Sequence, residues 1–107
     1  MSFKNLGLSD ELLNTIQKEG YSEATPVQER AIPLINKGMD ILGGAQTGTG
    51  KTAAFALPIL NRLQQSKSKK RTVRALILTP TRELAAQVNN SFRTYGIALP
   101  FKTIEIF

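Results

Sequence analysis

The chain has 107 residues, 41% of them hydrophobic and 21% charged, with a formal net charge of +6; length and composition are those of one globular domain. It contains no cysteine and no histidine. That excludes a disulfide scaffold, a thiolate or imidazole zinc site, and any mechanism built on a Cys nucleophile or a His base.

No apolar run of about 18 residues is present to span a membrane. The opening Met1-Ser2-Phe3-Lys4-Asn5 lacks the apolar stretch of a signal peptide, so a reduced, cytoplasmic setting is expected. The charge is unevenly placed. Residues 1–66 hold six basic and six acidic side chains, whereas residues 67–107 hold eight basic and two acidic ones. Five of those eight fall between Lys67 and Arg74, a Ser/Lys-rich stretch that reads either as a solvated surface loop or as an RNA-touching patch.

In chain order, Ser9 is the expected N-cap of a first helix, with Asp10 and Glu11 in its first turn where the helix dipole favours them. Leu12, Leu13 and Ile16 share one face, and Gly20 is the stop. A second helix is predicted from Thr25-Pro26, Thr25 as N-cap and Pro26 at the first helical position. Pro33 is expected to break it into two short pieces ending at Gly38. Residues 39–42 are a first strand candidate, and a helix follows from Lys51 to about Gln65. Residues 74–79 read as a continuous apolar strand of the buried, parallel-sheet kind. Arg82 to Tyr95 is helical up to Gly96. From Phe101 to Phe107 the pattern alternates, with Phe101, Thr103, Glu105 and Phe107 on one face. The alternation of strands and helices predicts an α/β fold with a parallel sheet. No helix follows the last strand in the sequence, which reads as an interruption.

Between strand candidate and helix lies Ala45-Gln46-Thr47-Gly48-Thr49-Gly50-Lys51-Thr52, a P-loop with Ala in place of the first Gly. Glycines let the backbone wrap so that successive N–H groups face a phosphate, and the following helix adds its positive end. Lys51 is placed to reach the β- and γ-phosphates, and the Thr52 hydroxyl to ligate Mg²⁺. Residues 20–28, Gly20-Tyr21-Ser22-Glu23-Ala24-Thr25-Pro26-Val27-Gln28, carry two readings. Local physics makes Thr25 to Gln28 a capping box. Alternatively, the Gln28 amide makes a bidentate bond to the N6/N7 edge of adenine, which guanine cannot match.

Together with Pro80-Thr81-Arg82-Glu83-Leu84-Ala85, these segments resemble the DEAD-box RNA helicases over essentially the whole chain. Residues 20–28 are similar to that family's Q motif, 45–52 to its motif I and 80–85 to its motif Ia. Phe3 matches an isolated upstream aromatic, although packing under the first helix explains it equally. The leader and the text around motif Ia look most like the bacterial RhlE-type branch.

The resemblance implies a partial RecA-like P-loop NTPase domain, with residues 1–38 as a Q-motif helical segment and 39–107 as the first part of the ATP-binding domain. It also implies ATP and Mg²⁺ as cofactors, with Gln28 reading adenine, Tyr21 stacking on it, and Thr47, Gly48, Thr49, Gly50, Lys51 and Thr52 holding the phosphates. Pro80, Thr81, Arg82 and Glu83 would grip the backbone of single-stranded RNA. For Arg82-Glu83 the local alternative is an exposed first-turn pair. The partners implied are RNA, contacted without regard to sequence, and a second RecA-like domain.

The acidic Asp-Glu-Ala-Asp motif of the family has no counterpart in these 107 residues. The expectation is therefore that the chain by itself binds ATP without turning it over, and exposes apolar sheet edges.

Overall fold

A computed structural model describes residues 2–39, 41, 51–65, 73–104 and 106. Four helices carry it: α1 (Asp10–Lys18), α2 (Pro26–Asn36), α3 (Lys51–Gln65) and α4 (Arg82–Tyr95), preceded by a 3-10 turn at Phe3–Asn5. α1, α3 and α4 were each legible as a single helix in the sequence, whereas α2 was expected in two pieces.

α1 begins where Ser9 Oγ accepts from the Leu12 N–H at 3.4 Å, and it buries Leu12, Thr15 and Ile16. The Glu11 carboxyl in its first turn is held below the ordinary carboxylate range by a backbone N–H and by the Gln64 side chain. Gly20 ends the helix at φ +86°. There the Gly20 N–H reaches Gln17 O at 3.0 Å and the Tyr21 N–H reaches Ile16 O at 3.1 Å, the paired bonds of a Schellman turn. Gly38 (φ +81°) ends α2 in the same way, through Gly38 N–H to Ile35 O and Met39 N–H to Leu34 O.

Pro33 does not divide α2. The helix continues through it to Asn36, contrary to the two short pieces expected. Pro33 sits in the last turn, where its missing N–H removes one bond, while its carbonyl still accepts from the Lys37 N–H at 3.1 Å. Fully buried Ile32 on one side and a hydrogen-bonded Asn36 on the other hold the turn in place. α3 likewise runs through a buried Pro58. Packing outweighs the local cost of proline at both positions.

The core gathers Phe3, Leu6, Leu8, Leu12, Ile16 and Ala24 from the N-terminal part with Ile32 of α2, Ala53, Ala56, Leu57 and Leu60 of α3, and Val88, Phe92 and Tyr95 of α4. Phe3 is thus packed in the core, and the leader is also bridged to the 20–28 segment through an antiparallel Ser2–Glu23 pair. α2 and α3 make the most extensive helix contact, followed by α3 with α4.

Two carboxamides join the ends of α2 and α3. Asn61 Nδ2 donates to Asn36 Oδ1 at 3.1 Å and to Gly7 O at 3.0 Å, while Asn61 Oδ1 accepts from the Ser9 N–H at 2.9 Å. Asn36 Nδ2 donates to Leu6 O at 3.0 Å. Arg62 Nη1 adds a bond to Ile35 O.

The predicted strands at 74–79 and 101–107 do not enter a sheet among the described residues. Leu76 and Leu78 are 79% and 85% exposed rather than buried. A strand is fixed by its ladder partners, and none flanks residues 74–79 within the described part of the chain. The alternation after Phe101 survives as exposure: Phe101 and Thr103 are half-buried, while Lys102, Ile104 and Ile106 face solvent. Of the strand candidate at 39–42, Met39 and Ile41 are exposed and the other two residues lie outside the described residues.

Arg74 is not part of a solvated loop. Its Nη2 donates to Leu63 O at 3.0 Å near the end of α3, and its guanidinium lies 5.5 Å from the centre of the Phe101 ring. It caps α3 and makes a cation–π contact. Lys67 to Arg71 lie outside the described residues.

Candidate functional site

Gln28 is the third residue of α2 and is 3% exposed. Its Oε1 accepts from the Thr25 N–H at 2.9 Å, and Thr25 Oγ1 accepts from the Gln28 N–H at 3.4 Å. The capping box is therefore formed. That bond engages Oε1 alone, and Gln28 makes a further interaction besides the capping pair.

The packing of α2 on α3 sets the level at which Gln28 lies. The two helices are tied at Asn36–Asn61 and Ile35–Arg62, and only a parallel course from there keeps them in extensive contact. Stepping back by fours from the tie passes Ile32 and Gln28 on α2, and Leu57 and Ala53 on α3, all buried. Gln28 thus shares an end of the helix pair with Ala53, immediately beside Lys51 and Thr52. Lys51 is exposed and Thr52 half-buried on the first turn of α3, where backbone N–H groups and the dipole favour an anion. Thr47, Gly48, Thr49 and Gly50 lie outside the described residues.

Tyr21 follows the Schellman turn of α1 and is 49% exposed. Its ring meets Tyr95, the last residue of α4, at a centroid distance of 6.5 Å. Nothing in the sequence signalled this contact across 74 positions.

At the other end of α4, Thr81 is the N-cap, its Oγ1 accepting from the Leu84 N–H at 3.1 Å. Thr79 Oγ1 donates to Thr81 O at 3.1 Å, shaping the turn before the helix. Pro80, Thr81, Arg82 and Glu83 are all exposed. Thirteen residues at about 1.5 Å each put this turn about 20 Å from Tyr95. The candidate residues therefore lie at three places: Gln28 with Lys51 and Thr52, Tyr21 beside Tyr95, and the exposed turn at 80–83.

The family model for DEAD/DEAH box helicases matches residues 25–106, which takes in the α2 capping box, the first turn of α3 and the turn before α4. The chain belongs to this family.

Among DEAD-box relatives, the ATP-dependent RNA helicase CshA of Limosilactobacillus reuteri is 49% identical over 96 residues, which cover 90% of this chain and 19% of that protein. The DEAD-box ATP-dependent RNA helicase RhpA of Helicobacter pylori is 43% identical over 106 residues, covering 99% of this chain and 21% of that protein. The chain thus spans about a fifth of the length of the curated relatives it matches. The crystal structure of the RNA-helicase Prp28 from Chaetomium thermophilum, bound to ADP, superposes with a TM-score of 0.91 at 40% identity, covering 99% of this chain and 26% of that one. A DEAD box protein from Methanococcus jannaschii gives 0.79 over 89% of this chain and 25% of that one, again at 40% identity.

These likenesses give the chain the α/β fold of part of a DEAD-box helicase domain, to which the described residues contribute the helices. No helix among them is long and apolar enough to cross a membrane.

Proposed function

We propose that the chain is the ATP-binding N-terminal portion of an ATP-dependent DEAD-box RNA helicase that remodels RNA duplexes in the cytoplasm. What carries this reading is the buried row of Gln28 and Ile32 on α2 with Ala53 and Leu57 on α3, which supports an amide suited to adenine working with a lysine suited to a triphosphate. In this reading residues 1–38 form the adenine-reading segment and residues 39–107 the first part of a RecA-like ATP-binding domain. Gln28 selects adenine, Tyr21 offers a ring for stacking, and Thr47 to Lys51 hold the phosphates. Thr52 fits Mg²⁺ as a single hydroxyl ligand, since that ion takes its remaining sites from phosphate and water. When bound, the ion neutralises charge on the phosphates. Pro80 to Glu83 hold RNA by its backbone, with the N-terminus of α4 facing a phosphate. The second RecA-like domain and a place in the RhlE-type branch belong to the same proposal.

Paired substitutions test the dual role of Gln28. Thr25→Ala removes one half of the capping box and is expected to cost about 1 kcal/mol of stability with the ATP-over-GTP preference intact. Gln28→Ala is expected to lower stability similarly and also to abolish that preference. Nucleotide titrations and thermal melts of both variants check this. Retained adenine preference in Gln28→Ala removes Gln28 from the base site.

A second reading, a non-catalytic ATP- and RNA-binding portion, draws on the span of the chain, about a fifth of its relatives' length. Both readings expect the purified chain to bind ATP without RNA-stimulated phosphate release, and they differ over the whole protein. Release from the purified chain overturns the second.

A further inference from the structure

From Ala75 to Gln87 no residue is buried. The exposed turn at 80–83 lies in the middle of that stretch, so its place depends on what anchors the two ends. On the far side the anchor is apolar packing, since α4 first enters the core at Val88. On the near side it is Arg74, which is half-buried and touches two other parts of the chain. Its Nη2 donates to Leu63 O at 3.0 Å near the end of α3, and its guanidinium lies 5.5 Å from the centre of the Phe101 ring. Phe101 is itself packed against the core.

The apolar run does not supply this anchor. Ala75, Leu76, Ile77 and Leu78 are exposed and apolar on both faces of an extended segment, so no buried face fixes how far along its own axis the segment lies. A shift by one residue moves the turn by about 3.3 Å. Arg74 removes that freedom. A planar guanidinium that donates to one carbonyl while lying over one ring fits in a single position.

We infer that Arg74 is a positioning residue for RNA: by tying the start of the 74–79 segment to the end of α3 and to Phe101, it fixes where Pro80, Thr81, Arg82 and Glu83 stand. The inference rests on the RNA reading of 80–83 given above. A turn held in place beforehand does not have to be ordered when RNA arrives, and the saved ordering cost appears as affinity. The phosphate end of α3 is untouched, because Leu63 lies twelve residues beyond Lys51, about 18 Å along the helix.

Binding of a fluorescein-labelled oligouridine, titrated across a salt series below the melting onset of each variant, tests this. Arg74→Met is expected to raise the RNA Kd about fivefold, the worth of one net hydrogen bond. The slope of log Kd against log salt and the ATP Kd should both stay as in the unsubstituted chain. Arg74→Lys keeps the charge without the planar fork and is expected to lose about as much. Phe101→Leu removes the ring and alters no charge, and it should also raise the RNA Kd. Combined with Arg74→Lys it should add little, since both act on one contact.

A direct phosphate contact gives a different pattern: Arg74→Lys keeps full affinity, and Arg74→Met lowers the salt slope by about 0.7. That pattern, or an unchanged RNA Kd in every folded variant, overturns the inference and leaves the RNA reading standing. If Arg74→Met melts too low to titrate, Arg74→Lys and Phe101→Leu decide between the same outcomes. Failure of the unsubstituted chain to bind the oligouridine overturns both the inference and the RNA reading.

Discussion

Lys51→Ala is expected to weaken ATP binding by about 100-fold while leaving the melting temperature within about 2 °C of the unsubstituted chain. The binding loss follows from the charge on the ligand. A triphosphate at the N-terminus of α3 is met by backbone dipoles and by one mobile ammonium, and removing a charge-assisted partner costs about 1.5–3 kcal/mol, up to about two decades in Kd. The small effect on stability follows from the position. Lys51 is exposed on the first turn of α3, where a cation opposes the helix dipole and alanine is the better helix former.

The nucleotide series makes this result specific. ATP should lose most, ADP less, and adenosine nothing. Gln28→Ala should give the complementary pattern, with adenine preference lost for all three. An ATP affinity in Lys51→Ala equal to that of the unsubstituted chain would remove the P-loop assignment.

What could be read from the sequence follows the range of the interactions concerned. Ser9, Thr25 and Thr81 act on N–H groups three residues ahead, and Gly20 and Gly38 close turns within five residues. The positions at Ser9, Thr25, Gly20 and Gly38 were therefore predictable, as was the capping box at Gln28, whereas the cap at Thr81 came from the structure. The structure added that Gln28 is buried, on the same row of α2 as Ile32.

Interactions across long stretches of chain left no local mark. Asn36 and Asn61 are 25 positions apart, and Asn61 reaches back 54 positions to Gly7. On a single helix each would read as an ordinary polar residue. Arg74 read as one more charge in a basic loop because its partners, Leu63 O and Phe101, lie on opposite sides of it in the sequence. Pro33 misled for a related reason: a local rule predicted a break, and tertiary contacts at Ile32 and Asn36 outweighed it. The apolar run 74–79 was read as a buried strand, yet burial depends on neighbours that the run itself does not specify.

Asn61→Ala is expected to be the most destabilising polar substitution in the described core, at about 3 kcal/mol. Asn61 is 1% exposed and its carboxamide serves three groups at once: the Ser9 N–H, Gly7 O and Asn36 Oδ1. Truncation orphans all three, each worth about 1 kcal/mol or more when left buried without a partner. It also leaves a small void between α3 and the Leu6–Ser9 segment. For a chain of this length, a loss of 3 kcal/mol lowers the melting temperature by about 12–20 °C, a large share of ordinary domain stability.

Asn61→Asp should be worse still, since it keeps the acceptor, loses both donors and buries a charge. Asn36→Ala should cost roughly half as much, and the double variant less than the sum of the two, because they share the 3.1 Å bond. The network ties the C-terminal ends of α2 and α3, opposite Gln28 and Lys51. In whatever fraction stays folded, the ATP-over-GTP ratio should therefore be that of the unsubstituted chain. A changed ratio in folded Asn61→Ala would mean that the two ends of the helix pair are coupled.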